Sequence, residues 1–227
     1  MKPQAQYPGA DRAAFVARVS GALGRAGPTS PTEPAPQVED RVARVTGPEA
    51  DLGAVFAAQA AAAGMTVHPT NRAGVQREVR AVLERLGVRR VMIGEGLMLE
   101  GVAADLSAAG LELVAWRERG FAAMYDADAG VTDVQGAIAE TGTLVCCSGP
   151  GRARGLSLVA PIHLAVVRRS DIVPDLVDLG VMRASEAALP SSVVLITGPS
   201  KTADIEGILI TGVHGPREVH VVLVNDA

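Results

Sequence analysis

The sequence predicts an α/β fold: a three-layer α/β/α sandwich around a mainly parallel sheet. From Pro48 onward, stretches with helical apolar spacing alternate with short apolar runs, and that order implies crossovers joining parallel strands. Only six of the 227 residues are aromatic, so Ala, Val, Leu and Ile must fill a core, which suits helices packed on a parallel sheet. The length allows one full core with an added arm.

Asp11 to Gly24 reads as a first helix, with Asp11 as cap and Phe15, Val16, Val19 and Leu23 as an apolar stripe. Gly27 to Gln37 holds four prolines and no period, so it is a linker. Residues 1–40 are therefore expected to be a helical arm and linker, and 41–227 the α/β domain. The arm would cover that domain or reach a second copy in a homo-oligomer. Helices follow at Pro48–Ala63, Asn71–Leu86 and Leu97–Ala109, each with glycine just beyond its end. Strands are expected at Met65–His68, Arg90–Ile93 and Leu111–Ala115. Ala137–Thr141 and Thr143–Cys147 flank Gly142 as a hairpin or sharp bend. Ile162–Arg168 is a buried strand, Asp171–Met182 a helix, Val193–Thr197 a strand, Ala203–Ile210 a short helix and Val219–Val224 a last strand.

Composition excludes several classes of function. The balance of 21 cationic and 25 acidic side chains, with no basic stripe among aromatics, argues against nucleic acid. No apolar run is long enough for a membrane span, and the first residues lack a signal-peptide core. The two cysteines are the neighbours Cys146 and Cys147, poorly placed to bridge each other and too few for an iron–sulfur cluster. A reducing cytoplasmic setting is the expectation. The four histidines show no metal-ligand spacing, so no metal site is expected.

Two patches carry the chemistry. In Ala139-Glu140-Thr141-Gly142-Thr143, the carboxylate ends an apolar run. Desolvation there would raise its pKa and make Glu140 a base or nucleophile; alternatively it accepts hydrogen bonds from its own turn. Thr141, Gly142, Thr143, Ser148 and Gly149 would line the ligand, with Arg152 offering a guanidinium to a carboxylate or phosphate. In the second patch, Thr197, Gly198, Ser200, Lys201, Thr202 and Asp204 join a strand to the expected short helix. Free amides, hydroxyls and an ammonium at a helix start suit an anion, although the spacing is not that of a Walker loop. Alternatively Thr202 simply caps that helix. His214, between glycines, is either a proton-transfer group or a plain turn residue. If both patches leave carboxyl ends of parallel strands, they form one cleft for a small carboxylate or phosphate ester.

The motifs Ala139-Glu140-Thr141-Gly142-Thr143-Leu144, Gly149-Pro150-Gly151, Ile172-Val173-Pro174, Ile196-Thr197-Gly198-Pro199-Ser200-Lys201-Thr202-Ala203-Asp204-Ile205-Glu206 and Gly212-Val213-His214-Gly215-Pro216 resemble the lactate-utilization protein C family of LUD-domain proteins. The resemblance covers roughly residues 45–225. It implies a fold like that of glucosamine-6-phosphate deaminase, ribose-5-phosphate isomerase and the CoA transferases. It also implies a part in oxidising L-lactate to pyruvate beside partner subunits that carry iron–sulfur clusters, this chain binding no cofactor itself. The CoA transferases of that fold use a glutamate in a Glu-x-Gly turn as nucleophile, to which Glu140-Thr141-Gly142 is similar in type. A stand-alone enzyme acting on a sugar phosphate or acyl-CoA through Glu140 is therefore the alternative.

Overall fold

The computed structural model describes residues 11–24, 44–184, 190–203 and 209–226. The chain divides into two units, Met1–Glu39 and Asp40–Ala227. In the first, helix α1 spans Arg12–Ala22, and the Asp11 carboxylate accepts from the backbone N–H of Ala13 at 3.0 Å. Its apolar stripe of Phe15, Val16, Val19 and Leu23 is exposed. The linker expected at 27–37 lies outside the described residues.

In the second unit, Asp51 caps α2 (Leu52–Ala62), so the helix begins later than Pro48. Strand β1 (Thr66–Thr70) leads to a 3-10 turn capped by Asn71, then to α3 (Val75–Arg85). β2 (Arg90–Ile93), a 3-10 turn at Leu97–Leu99, α4 (Val102–Ala108) and β3 (Glu112–Leu113) follow. Next come α5 (Trp116–Arg119), a 3-10 turn at Phe121–Asp126, and β4 (Ala129–Asp133), a strand missing from the expected list. β5 (Ala137–Ile138) and β6 (Thr143–Cys147) form the expected hairpin across Gly142. The chain continues through α6 (Gly155–Leu158), β7 (Ile162–Arg168), β8 (Ile172–Val173) and α7 (Leu176–Ala184). The expected helix at Asp171 thus starts late, because Ile172 and Val173 pair in a sheet and Asp175 then caps the helix. β9 is Val193–Ile196. Where a helix was expected at Ala203–Ile210, β10 (Lys201–Ala203) and β11 (Leu209–Thr211) pair antiparallel. β12 (Glu218–Val224) closes the fold.

Six strands form one wholly parallel sheet in the order β1-β12-β7-β4-β2-β3. Both faces are apolar, as a covered parallel sheet requires. Ile162, Leu164 and Val166 of β7 pack with Val222 and Val224 of β12 under α3 and α4. The alternate residues Ala165, Val167, Val219, Val221 and Leu223 pack against Phe56 and Ala60 of α2. That second cluster also includes Ala137 and Leu144 of a four-stranded mixed sheet ordered β8-β5-β6-β9. The result is the expected α/β/α sandwich with a smaller sheet added to one layer.

His163 of β7 is fully buried, its Nε2 2.8 Å from the Thr132 hydroxyl and its Nδ1 without a partner. Burial pushes its pKa down from 6.5 to about 4. Below pH 6.5 the unfolded chain takes a proton that the folded chain refuses, so stability falls until the folded group also titrates near pH 4. The full loss from this group is about 3 kcal/mol. Urea-unfolding midpoints measured from pH 7 to 4 should fall steeply for the wild type, and less steeply for His163→Gln, which cannot take the proton.

Candidate functional site

The two sequence patches do meet, but not as strand ends of the parallel sheet. β6 and β9 are antiparallel neighbours in the small sheet, pairing Leu144 with Ile196. Just beyond, hydroxyls form a chain: Thr141 to Thr143 at 2.6 Å, and Thr143 to Thr197 at 2.7 Å. These threonines and Glu140 line an open groove walled by Ile138, Leu176, Val177 and Leu195.

The glycines of the patches have a structural cause. Gly142 has φ +62°, and a Cβ there would fall 2.2 Å from the Ala60 backbone nitrogen. Gly198 has φ +92°, and its Cβ would fall 2.4 Å from the Ala63 carbonyl oxygen. That same carbonyl, at the end of α2, accepts from Lys201 Nζ at 3.4 Å, a cation at a helix C-terminus. The second patch therefore seats the last turn of α2. It runs into strand β10 rather than a helix, so the helix start assigned to an anion is absent. Ser200 N–H donates to Pro216 and its carbonyl accepts from Gly212, while Thr202 pairs with Ile210. Asp204 lies outside the described residues.

Glu140 is a clasp. One carboxylate oxygen accepts from Val45 N–H at 2.5 Å, Thr46 N–H at 2.7 Å and the Thr46 hydroxyl at 2.9 Å. Desolvation pushes its pKa up, but these hydrogen bonds outweigh it and hold the carboxyl below the ordinary range. The expected rise in pKa is overturned; as the alternative had it, the carboxylate accepts backbone hydrogen bonds, from residues 45–46 rather than from its own turn. Beside it, Arg44 bridges Asp175 and Asp178. His214 is exposed and lines a separate hollow with Tyr125, Leu158 and Arg217, so it does not join Glu140.

Of the remaining candidates, Ser148 and Arg152 line a second cavity, at the carboxyl end of the parallel sheet, and Gly149 pairs with Arg152 beside it. β2 connects to β3 on its outer side while β4 lies on its inner side, so the strand order reverses between β2 and β4. Ligands of open α/β sheets bind at such a switch point. The cavity is formed there by Gly94, Glu95, Thr132, Asp133, Ser148 and Arg152, among others. Its cavity volume is about 20 Å³, room for about one water molecule. The Gly149–Arg152 turn closes on itself through Arg152 N–H to Gly149 at 2.9 Å, and Gly151 accepts from Glu95 N–H at 2.9 Å.

Arg152 Nε is buried there with no hydrogen-bond partner. Asp133, at the end of β4, accepts from Met98 N–H at 3.2 Å. Burial pushes its pKa up; the Met98 bond and the guanidiniums of Arg168 and Arg152 oppose the rise, and Asp171 adds to it. Cys146 also lines the cavity, but burial pushes its thiol up to about 12, so it stays protonated and is no nucleophile. Asp133 and Thr132 were missed because β4 was not assigned from sequence, and Glu95 because the turn after β2 was not read as part of a site. The signals were present: Ala129-Gly130-Val131-Thr132 is an apolar, β-branched run ending in Asp133, and Gly94-Glu95-Gly96 directly follows strand β2. Among the described residues, no group of three His, Cys, Asp or Glu side chains is placed to hold a metal ion. No helix among them is long and apolar enough to cross a membrane.

The structure is thus an α/β protein with a wholly parallel main sheet and a cavity at its switch point. The LUD domain model matches residues 53–224, and the chain belongs to the LUD domain family. It is 39% identical over 104 residues to lactate utilization protein C of Halalkalibacterium halodurans, covering 44% of this chain and 45% of that protein. It is 38% identical over 104 residues to the protein of the same name from Bacillus subtilis, covering 44% and 43%. The matched segment thus spans less than half the length of these relatives. The crystal structure of a DUF162 family protein from Deinococcus radiodurans superposes with a TM-score of 0.55 at 22% identity, covering 76% of this chain and 96% of that one, a likeness of fold.

Gly142→Ala should destabilise the protein by about 2–4 kcal/mol, the sum of a left-handed backbone and overpacking against α2. Denaturant titration measures this; a loss under about 0.5 kcal/mol would show that the α2 turn yields.

Proposed function

We propose that this chain is the non-cluster subunit of a lactate-utilization system, binding a small anion in the switch-point cavity through Arg152. The likeness to lactate utilization protein C supports the biological role. The buried, unpartnered Arg152 Nε is the observation that carries the binding site. A guanidinium nitrogen without a partner is costly to bury, and a carboxylate or phosphate oxygen satisfies it. In this reading the system oxidises L-lactate to pyruvate in the cytoplasm. The electrons pass to iron–sulfur partner proteins, as the resemblance to the lactate-utilization family implies. The two adjacent cysteines of this chain are too few to hold a cluster themselves. The alternative, a nucleophilic Glu140 acting on a sugar phosphate or acyl-CoA, finds no support, since that carboxylate is engaged by Val45 and Thr46.

Calorimetric titration of the purified chain with pyruvate, L-lactate and inorganic phosphate tests the site. Arg152→Gln should weaken whichever anion binds by about 1.5–3 kcal/mol, the scale of a hydrogen bond to a charged group. Equal affinity in the variant places the anion elsewhere.

A further inference from the structure

We propose that His68 and His220 form a one-proton latch that holds the edge strand β1 to β12 beneath α3: a first added proton completes a hydrogen-bonded chain from Glu78 to Glu218, and a second breaks that chain at its centre.

β1 is an edge strand of the parallel sheet and pairs with β12. Their register sets Thr66 opposite His220 and His68 opposite Val222. Both imidazoles therefore leave the same face as Val222, the face that α3 covers. The two rings are buried and stacked, with centroids 5.5 Å apart. His68 Nε2 stands 3.2 Å from His220 Nδ1. The outer nitrogens face carboxylates: His68 Nδ1 is 3.8 Å from Glu78 of α3, and His220 Nε2 is 3.5 Å from Glu218. Four groups from three elements thus stand in line.

That line has three contacts, and each needs one hydrogen. Two neutral imidazoles carry only two. One contact is then a nitrogen lone pair set against a carboxylate or against the other ring. One added proton supplies the third hydrogen: both outer nitrogens donate to carboxylates, and the rings share the central hydrogen. A second added proton puts two N–H groups nose to nose at the 3.2 Å contact, so that bond is lost and two cationic rings face each other. Two converging nitrogens backed by carboxylates would also suit a metal ion, but no third ligand stands with them among the described residues.

The surrounding charges set the pH at which this happens. Burial is the largest cause acting on both rings, and it pushes both below the ordinary value of 6.5. For His68, a charged His220 adds to the fall, Glu78 opposes it and Arg85 of α3 adds again. For His220, Glu218 opposes the fall and Arg85 adds to it. Arg217 faces the other Glu218 oxygen at 3.7 Å. On β7 the same face is apolar, with Ile162, Leu164 and Val166. The folded pair therefore refuses protons that the unfolded chain takes below pH 6.5, so its contribution to stability is lost as pH falls from there. The second proton carries the larger loss, and that loss is local to β1.

The test is NMR of the imidazole nitrogens as pH is lowered from 8, with EDTA present, on the full chain as wild type, His68→Gln and His220→Gln. In wild type the pair should take up its protons in two separated steps. Between them, Nδ1 of His68 and Nε2 of His220 should both carry hydrogen while the inner nitrogens share one. Gln can donate or accept at the central contact, so the histidine kept in each variant should titrate in one step, above the pair's second step. Through that second step, amide exchange in β1 should rise by up to about tenfold per pH unit in wild type and stay flat in both variants. Exchange is corrected for its intrinsic pH dependence and read relative to β4, which removes the global acid sensitivity due to His163. A single step for both rings, an unaltered titration of His68 in His220→Gln, or β1 exchange that tracks β4 overturns the inference. Should a variant fail to fold, the wild-type steps and exchange decide the matter.

Discussion

The seating of the last turn of α2 is the constraint on which much of this architecture hangs. α2 supplies Phe56 and Ala60 to a cluster shared by the parallel sheet and the small mixed sheet, so it couples the two. Its carboxyl end is pressed between the Gly142 turn and the Gly198 turn, where no side chain fits. Lys201 answers the exposed Ala63 carbonyl, and Pro199 lies against Gly64. Helix ends leave carbonyls that need partners, and here the partner is a turn distant in sequence. This gives the Gly142 and Gly198 turns, which have the look of a ligand cradle, a structural cause as close-contact surfaces. Backbone freedom at φ > 0 and close approach are the same property whether the neighbour is a phosphate or a helix.

Topology places the switch-point cavity apart from the Gly142 and Gly198 turns. After β2 the chain moves outward to β3, returns to β4 on the other side, and then steps through β7 to β12. Loops that leave β2 and β4 therefore diverge, and the Gly149–Arg152 turn that follows β6 reaches into the gap, Gly151 accepting from Glu95 N–H. The loop after β6 thus contributes Arg152 to a cavity that Asp133 of the parallel sheet also lines.

The parallel architecture was legible because helical and strand periods alternate cleanly, and Arg90–Ile93 and Ile162–Arg168 stand where the pattern puts them. What escaped has physical causes. β4 carries Gly130 and ends in polar Thr132-Asp133, so as a strand it lacks a long apolar run. Ala203–Ile210 has helical apolar spacing, yet its flanks pair as strands, since tertiary pairing overrides local propensity. The site was half legible. Ser148 and Arg152 could be marked because a guanidinium behind a glycine turn is conspicuous. Asp133 could not, because a lone aspartate announces nothing until topology sets it opposite that guanidinium.

The same contrast sorts the carboxylates by what they can still do. A carboxylate can accept about four hydrogen bonds. Glu140 takes three from residues 45–46. Asp175 accepts from two backbone N–H groups at the start of α7 and from Arg44. Both are driven toward the charged form by their partners, and both fasten the chain where it enters the domain. Asp133 accepts from one backbone N–H, and burial drives it toward the neutral form. Carboxylates that are saturated with donors hold structure, because moving a proton onto them means breaking what they hold. Asp133 accepts one backbone N–H and lines the cavity with Arg152, so it fastens less of the chain than Glu140 or Asp175 does.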